Sequence, residues 1–184
     1  WFVPLESMPD KRLPDAEREA LIAALRRAIA GPTTDMTAVG LTSRWVAANR
    51  ALETESEAPL YRDPFARELA GEAGMDVLYA MRAVAGLSTF AGPDPLLTIR
   101  TRFFDDTLLA AVKNDAISQV VILAAGMDAR AFRLEWPSGV TVFEVDRDDV
   151  FRHKEPALER LGATPTCNRR IVRHDLAQPW AEAL

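Results

Sequence analysis

The sequence predicts an α/β fold, in which a mainly helical N-terminal half leads into a parallel β-sheet. In the first 115 residues, apolar side chains recur mostly at helical spacing, with Pro and Gly at the breaks. The pattern then changes at Val120–Ala124, a continuous apolar run rich in β-branched residues. Such a run, bounded by Gly126, is typical of a strand buried on both faces of a parallel sheet.

The N-terminal half begins with two predicted helices. Residues 1–14 are Pro-rich and irregular, and an amphipathic helix is expected over Ala16–Ala30, where Gly31 ends the pattern. A second helix is expected over Thr37–Leu52. The apolar stripe of each helix is most simply a packing face.

Further helical segments follow. Asp63 is placed to cap a helix that has Pro64 at its first position, and two looser stretches cover Phe65–Ala70 and Met75–Val84. After a Gly-Pro-Asp-Pro break, a long helix is expected over Leu96–Lys113. Six of its side chains are available for burial, namely Ile99, Phe103, Phe104, Thr107, Leu108 and Val112.

The C-terminal part is predicted to alternate strands and helices. Strands are expected at Val120–Ala124, Val140–Val145 and Arg170–Arg173, with a helix over Asp148–Leu161 that ends at Gly162. A shorter helical turn is expected after the first strand. The domain organisation is therefore an extension with one helix over 1–35, a helical region over 36–115, and the first part of a cofactor-binding domain over 116–184.

Composition argues against several classes of function. The 184 residues carry a net charge of −5 and their arginines are dispersed, so no nucleic-acid partner is expected. The single cysteine, Cys167, excludes an intrachain disulfide, and two histidines are too few for a structural zinc site. No segment approaches the length of a membrane span. We therefore expect a cytoplasmic protein with a small-molecule substrate, no membrane partner and no metal.

Acidic side chains and one glycine follow the predicted strands. Gly126 follows the first strand, Glu144 and Asp146 lie at the end of the second, and Asp175 follows the third. A glycine lets cofactor atoms approach the backbone, and a carboxylate about 20 residues later can accept hydrogen bonds from ribose hydroxyls. The pattern predicts a nucleoside-containing cofactor at the carboxyl ends of the strands, with either Glu144 or Asp146 holding the ribose.

The loop after the first strand discriminates between cofactors. The segment Ala124–Ala129 contains one glycine, whereas a dinucleotide fold usually carries G-x-G-x-x-G to seat a pyrophosphate at a helix N-terminus. Asp128 would repel a pyrophosphate there. S-adenosylmethionine has a sulfonium and no phosphate, so the loop favours this methyl donor over NAD.

Six segments form a recognisable set of motifs. They are TAVGLTSRWVAANRALE, PLYRDPFARELA, IRTRFFDD, VVILAAGMDARAFRL, VFEVD and RHDL, which together cover about Met36–Leu184. Their order resembles that of the leucine carboxyl methyltransferase family, especially its actinobacterial-type branch. That branch typically has a V-V-I-L-G-A-G-L-D-T-R-A-Y-R-L loop, so Ala124 stands where the first loop glycine is expected. The resemblance implies a Rossmann-like sheet that binds S-adenosylmethionine, with its first three parallel strands present.

The resemblance also implies roles for individual residues. Arg100 would bind the carboxylate of the donor, Gly126 would line its methionine portion, Asp146 would contact the donor, and Asp175-Leu176 would contact its adenine end. A side chain at Gly126 is expected to block binding at little cost in stability. The candidate cofactor-binding residues are Arg100, Ala125, Gly126, Glu144, Asp146, Asp175 and Leu176.

Other polar residues near these motifs have simpler interpretations. Asp128 is expected to cap the next helix and to pair with Arg130. His153 lies on a charged helix and is expected to be solvated. His174 is adjacent to the site, but the sequence offers it no partner that would make it a base.

The reaction implied by the resemblance is methyl transfer to an oxygen nucleophile, such as a carboxylate or hydroxyl of a small molecule or natural product. A carboxylate is already charged at neutral pH, so alignment and desolvation suffice and no catalytic base is nominated. Two alternatives remain open: a nicotinamide-dependent oxidoreductase and a non-catalytic cofactor-binding fragment.

The implied sheet would place a fourth strand beside the first. Because an unpaired strand presents free N–H and C=O groups, either more chain is expected after Leu184 or another molecule must cover that edge. We therefore expect the isolated chain to self-associate and to transfer no methyl groups.

Overall fold

The computed structural model describes residues 38–84, 92–115 and 117–181. The predicted helix over Ala16–Ala30 lies outside these residues. Within them, three helices precede a three-stranded parallel sheet, so the predicted α/β fold class is confirmed. The predicted division into an extension, a helical region and a cofactor-binding domain stays a prediction.

The helical region contains α1 (Ala38–Thr54), α2 (Ala66–Val84) and α3 (Pro95–Asn114). The Asp63 side chain accepts the N–H of Phe65 at 3.1 Å in the turn before α2, as its position before a proline suggested. The two predicted stretches form this single helix with a break at its sixth residue, where φ is 56° and ψ is −176°.

Gly71 breaks α2 because a buried arginine occupies the opened turn. The Nε of Arg44 donates to the carbonyl of Ala70 at 2.8 Å, and a Cβ built at Gly71 would lie 2.6 Å from the guanidinium. Burial lowers the pKa of Arg44, so the contact with a helix carbonyl offsets part of the lost hydration. The Arg44 guanidinium therefore links α1 to α2 and helps to hold α1 in place against the sheet.

The sheet is formed by β1 (Gln119–Leu123), β2 (Thr141–Asp146) and β3 (Asn168–Arg173), all parallel, in the order β1-β2-β3. The one-turn helix α4 (Arg130–Arg133) lies between β1 and β2, and α5 (Asp148–Arg160) connects β2 to β3. Leu123, the last residue of β1, is the register partner of Val145, the residue before the end of β2. The carboxyl ends of the strands therefore meet at one edge, where ligands bind in open α/β sheets.

The expectation that β1 is buried on both faces is wrong for this chain. Val120 is buried, but Val121 and Leu123 are 42% and 45% exposed. Val121 and Leu123 lie on the same face of β1, and the described residues leave that face partly open to solvent. In addition, β1 is the outer strand of the described sheet and pairs with β2 alone. Self-association through this uncovered edge stays a prediction, supported by the exposed apolar side chains beside it.

Helix α3 buries a different face from the one expected. Ile99, Phe103 and Phe104 are exposed, whereas Val112 is buried as predicted. The inward face instead carries Leu97, Thr98, Thr101 and Asp105. Polar side chains are stable there because they have buried partners; the hydroxyl of Thr98, for example, donates to the Glu53 carboxylate at 3.1 Å.

The main core lies between the helical region and one face of the sheet. Its best-buried large side chains are Leu69 and Leu78 of α2, Met127 of the loop that follows β1, Val142 of β2 and Leu158 of α5. Within the part of the chain that the structure describes, no helix is both long and apolar enough to cross a bilayer.

Candidate functional site

A cavity of about 520 Å³ opens at the carboxyl ends of β1 and β2. Its walls are α1, α3, most of β1 and the loop over Ala124–Asp128. This volume falls within the range of small-molecule sites, roughly 300–1,000 Å³. The cavity brings together four of the predicted site residues, namely Arg100, Ala125, Gly126 and Asp146.

The loop that follows β1 turns sharply at two residues in the left-handed region. Ala124 has φ 50° and Gly126 has φ 52°. Between them, the N–H of Ala125 donates to the Val145 carbonyl at 3.1 Å, which continues the pairing with β2. The loop thus folds back over the end of the sheet and faces the cavity with its backbone.

Asp146 holds this loop in place. Its Oδ2 accepts the N–H of Gly126 at 2.6 Å, and its Oδ1 accepts the N–H of Arg147 at 2.7 Å. The carboxylate is only partly buried and lines the cavity. Because each carboxylate oxygen has two lone pairs, both oxygens can accept a further hydrogen bond from a ligand hydroxyl.

Glu144 lies in a different environment from Asp146, although both belong to the same face of β2. Its side chain is fully buried, and its Oε2 accepts bonds from Lys154 Nζ and from Arg169, both at 2.6 Å. It does not line the cavity. The structure therefore separates the two acids that sequence spacing left as alternatives, because Glu144 sits two residues deeper, beneath α5.

The third predicted acid, Asp175, is not brought into this cavity. It is exposed and lines a second, open cavity of about 400 Å³, together with Arg147 and His174. Its Oδ1 accepts the N–H of Ala177 at 2.9 Å in a local turn. Leu176 lines neither of these two cavities.

Arg100 reaches the cavity from α3. Its side chain is exposed, and its guanidinium has no hydrogen-bond or ion-pair partner among the described residues. By contrast Arg102, two residues further on, is paired with Asp106 at 2.7 Å and does not line the cavity. Arg100 is thus a free cation at the cavity wall.

Asp128 pairs with Arg130 as predicted, but the N-cap position of α4 is occupied by Ala129 and not by Asp128. Its Oδ1 accepts the N–H of Arg130 at 2.7 Å, and its other oxygen forms an ion pair with the same arginine. Burial raises the pKa of this carboxyl, but the charges of Arg130, Lys154 and Arg50 outweigh that effect and hold the pKa below its usual value. It is therefore ionised and already neutralised by the protein.

Two further titratable residues, Cys167 and His153, do not line the cavity. Burial and the nearby Glu144 raise the pKa of Cys167 to about 11, so this thiol stays protonated. His153 is half-buried, its Nε2 lies 3.3 Å from the Leu69 carbonyl, and burial lowers its pKa; the expectation that it is solvated is wrong. Among the described residues there is no cluster of three or more metal-ligating side chains.

Some residues of the site were missed at the level of sequence. Ser43 and Arg50 of α1 and Arg130 of α4 line the cavity. Ser43 also leaves no room for a side chain at position 126, because a Cβ built at Gly126 would lie 2.7 Å from the Ser43 Cβ. The expectation that a side chain at Gly126 costs little stability is therefore wrong.

Ala124→Gly is expected to stabilise the protein by about 0.5–1 kcal/mol, because an L-residue at φ 50° is strained by about 1–2 kcal/mol and glycine is not. The larger unfolded-state entropy of glycine offsets part of that gain. The matched control is Ala125→Gly, at a buried neighbour whose φ is not positive, and it should destabilise by about 1 kcal/mol. Urea denaturation measures both, and a loss of stability in both variants would contradict the assignment of strain to Ala124.

Comparison with known proteins finds one family over most of the chain. Residues 43–184 match the family described as leucine carboxyl methyltransferase. A protein of Mycobacterium avium (strain 104) is 41% identical over 170 residues, which cover 84% of this chain and 54% of the relative. A protein of Mycolicibacterium smegmatis is 44% identical over 158 residues, covering 79% and 51% respectively. Both relatives carry the provisional name S-adenosyl-L-methionine-dependent methyltransferase, and the chain spans about half of their length.

Proposed function

The chain belongs to the leucine carboxyl methyltransferase family, and from this premise we propose that it forms the donor-binding part of an S-adenosyl-L-methionine-dependent O-methyltransferase. The observation that carries the proposal is the meeting of Gly126, Asp146 and Arg100 at one cavity. These residues come from the ends of two strands and from a helix, and all three line the same cavity.

The residues at this cavity fit the chemistry of the donor. The backbone at Gly126 allows atoms of the donor to approach closely. The partly buried Asp146 oxygens can accept hydrogen bonds from ribose hydroxyls, and the Arg100 guanidinium, which has no partner among the described residues, can bind a carboxylate. When bound, the donor supplies a methyl group to a nucleophile. The chain's own contribution is to hold its carboxylate and ribose, so that the sulfonium is fixed between them.

The electrostatics of the cavity disfavour a dinucleotide. Arg50 and Arg130 both line the cavity, but each is already ion-paired, with Asp63 at 2.8 Å and with Asp105 at 2.7 Å respectively. The helix after the loop has only four residues, so it supplies little of the N-terminal dipole that a pyrophosphate uses. Arg100, which has no partner among the described residues, matches the single carboxylate of the methyl donor.

The acceptor that best suits this site is an oxygen that is already ionised. Within the described part of the chain, the ionisable side chains lining the cavity are three arginines and two aspartates, namely Arg50, Arg100, Arg130, Asp128 and Asp146. Both aspartates are engaged in hydrogen bonds, and Asp128 is ion-paired. Because Asp128 is neutralised by Arg130 and Asp146 is assigned to the ribose hydroxyls, we favour a carboxylate of a small molecule or natural product as the acceptor, aligned and desolvated in the cavity.

Isothermal titration calorimetry of the whole chain tests the proposal. S-adenosylhomocysteine is expected to bind, and NAD is not. Arg100→Gln should weaken binding about tenfold or more, the usual effect of losing a charge-assisted hydrogen bond of about 1.5–3 kcal/mol. Arg102→Gln is the matched control on the same helix and should leave the affinity unchanged, because Arg102 does not line the cavity. Tighter binding of NAD, or equal effects of the two variants, would contradict the proposal.

A further inference from the structure

A chain of buried ion pairs runs from α1 through α3 to the loop at Gly126. Its members alternate in sign, so that each charge contacts an opposite one, and all have side chains at most 14% exposed. Three are cations and three are anions: Arg50, Asp63, Arg133, Asp105, Arg130 and Asp128. The charges therefore balance within the set, which is the condition for stable burial of ions.

Asp105 is the central member of this network. Its Oδ1 accepts Arg130 Nε at 2.7 Å and Arg133 Nη2 at 2.7 Å, and its Oδ2 accepts Arg133 Nη1 at 2.6 Å. The paired contact with Arg133 fixes the orientation of the carboxylate in its plane. Burial lowers the pKa of Arg133, but the hydrogen bonds and the negative charge of Asp105 raise it by more. The pKa of Arg133 therefore lies above its usual value.

The network reaches the donor-binding loop from two sides. Arg130, held by Asp105, forms an ion pair with Asp128 at the end of the loop. Arg50, held by Asp63 at 2.8 Å, donates to the Met127 carbonyl. Arg130 and Arg50 thus hold the loop in place, and their own positions depend on Asp105 and Asp63 respectively.

Asp105 also lies on the helix that carries Arg100. The two residues are five apart on α3, Arg100 lining the cavity and Asp105 pointing into the protein, where it is 4% exposed. A single helix therefore presents one side chain to the cavity and another to the network beneath the loop. Any shift of α3 relative to the loop must break the contacts of Asp105.

We propose that Asp105 is a positioning residue, which sets the distance between Arg100 and the Gly126 loop and thereby the affinity for the donor without touching it. The donor part of this inference rests on the proposed function. The loop part does not, because the contacts of Asp105 define the loop position in the free protein. Removing the Asp105 charge leaves three buried cations of this network against two anions. Among the described residues, the remaining ion-pair partner of Arg133 is then Asp63, at 3.8 Å.

Asp105→Asn is the direct test, because it keeps the shape of the side chain and removes its charge. We expect the Gly126 amide to exchange with solvent about tenfold faster or more, after correction for global stability, since the loop is no longer held. S-adenosylhomocysteine should bind about tenfold more weakly, a typical effect of a network residue that does not contact the ligand. Amide exchange by NMR and calorimetry measure the two effects.

Glu53→Gln is the matched control. Glu53 is also buried, at 4% exposure, and accepts hydrogen bonds from the Leu60 N–H and the Thr98 hydroxyl, but it has no contact with the loop. It should lower stability while leaving Gly126 exchange and donor affinity unchanged. Equal changes in both variants, once global stability is corrected for, would overturn the proposal.

Asp105→Glu is a milder perturbation that keeps the charge and the fold. Its longer side chain has to displace Arg130 or Arg133, so loop exchange and donor affinity should change in the same direction by a smaller factor. An unchanged loop in this variant and in Asp105→Asn would overturn the proposal. If the parent chain binds no donor, the proposed function fails, and amide exchange alone still decides whether Asp105 positions the loop.

Discussion

Gly126→Ala is expected to abolish measurable binding of S-adenosylhomocysteine and to lower the melting temperature. Gly126 has φ 52°, and a Cβ there would lie 2.7 Å from the Cβ of Ser43. That neighbouring atom is bonded directly to the backbone of α1, so it cannot rotate away. Both residues line the cavity, and relief of the contact must therefore move one of its walls.

The control variant Gly162→Ala separates the cost of left-handed backbone strain from the cost of steric overlap in Gly126→Ala. Gly162 has φ 61°, close to that of Gly126, but a Cβ there meets nothing within 4 Å. The control should lose about 1 kcal/mol from left-handed strain alone, which is about 2–4 °C in melting temperature for a chain of this size. Gly126→Ala should lose a further 1–3 kcal/mol, roughly, from overpacking.

Calorimetry and thermal unfolding of the two variants decide the role of Gly126. We expect donor binding to be retained in Gly162→Ala and lost in Gly126→Ala. If the Gly126 variant binds the donor as well as its control does and loses only stability, Gly126 is a structural glycine and the loop is not a contact surface.

Asp146→Ala is expected to weaken S-adenosylhomocysteine binding about ten- to hundredfold. The carboxylate is proposed to accept the ribose hydroxyls, and a charge-assisted hydrogen bond contributes about 1.5–3 kcal/mol. The same substitution removes the acceptor for the Gly126 N–H, so the loop loses its attachment to the end of β2 as well. Both effects act in the same direction on affinity.

Glu144→Gln is the informative comparison, because Glu144 was the alternative ribose acceptor. Its carboxylate is fully buried against Lys154 and Arg169, and removing one charge of a buried pair costs on the order of 3 kcal/mol. We expect a large loss of stability with donor affinity nearly unchanged. The opposite pattern, with affinity lost in Glu144→Gln and kept in Asp146→Ala, would assign the ribose to Glu144.

The order of elements and the position of the loop could be predicted from sequence because both depend on local patterns. The β-branched run at Val120–Ala124, the glycine after it and the acid at the end of the next strand are each local features of the chain. Parallel strands then bring their carboxyl ends together by geometry alone. Gly126 and Asp146 accordingly meet in a hydrogen bond of 2.6 Å.

The burial of individual side chains depended on partners distant in sequence. Ile99 and Phe103 read as core residues, yet α3 turns Asp105 inward because Arg130 and Arg133, 25 and 28 residues later, neutralise it. Glu144 looked equivalent to Asp146 until Lys154 of α5 covered it. Hydrophobic periodicity weighs apolar side chains only, so it cannot detect an inward face stabilised by ion pairs.

The sequence by itself thus determined the α/β class, the succession of strands and the residues at the strand ends, because these follow from periodicity, turn chemistry and motif order. Only the tertiary structure decided which acid faces the cavity, which face of α3 is buried and which side chains of β1 are exposed among the described residues. Those outcomes depend on contacts between elements far apart in the chain, where an opposite charge from a distant residue reverses the local preference.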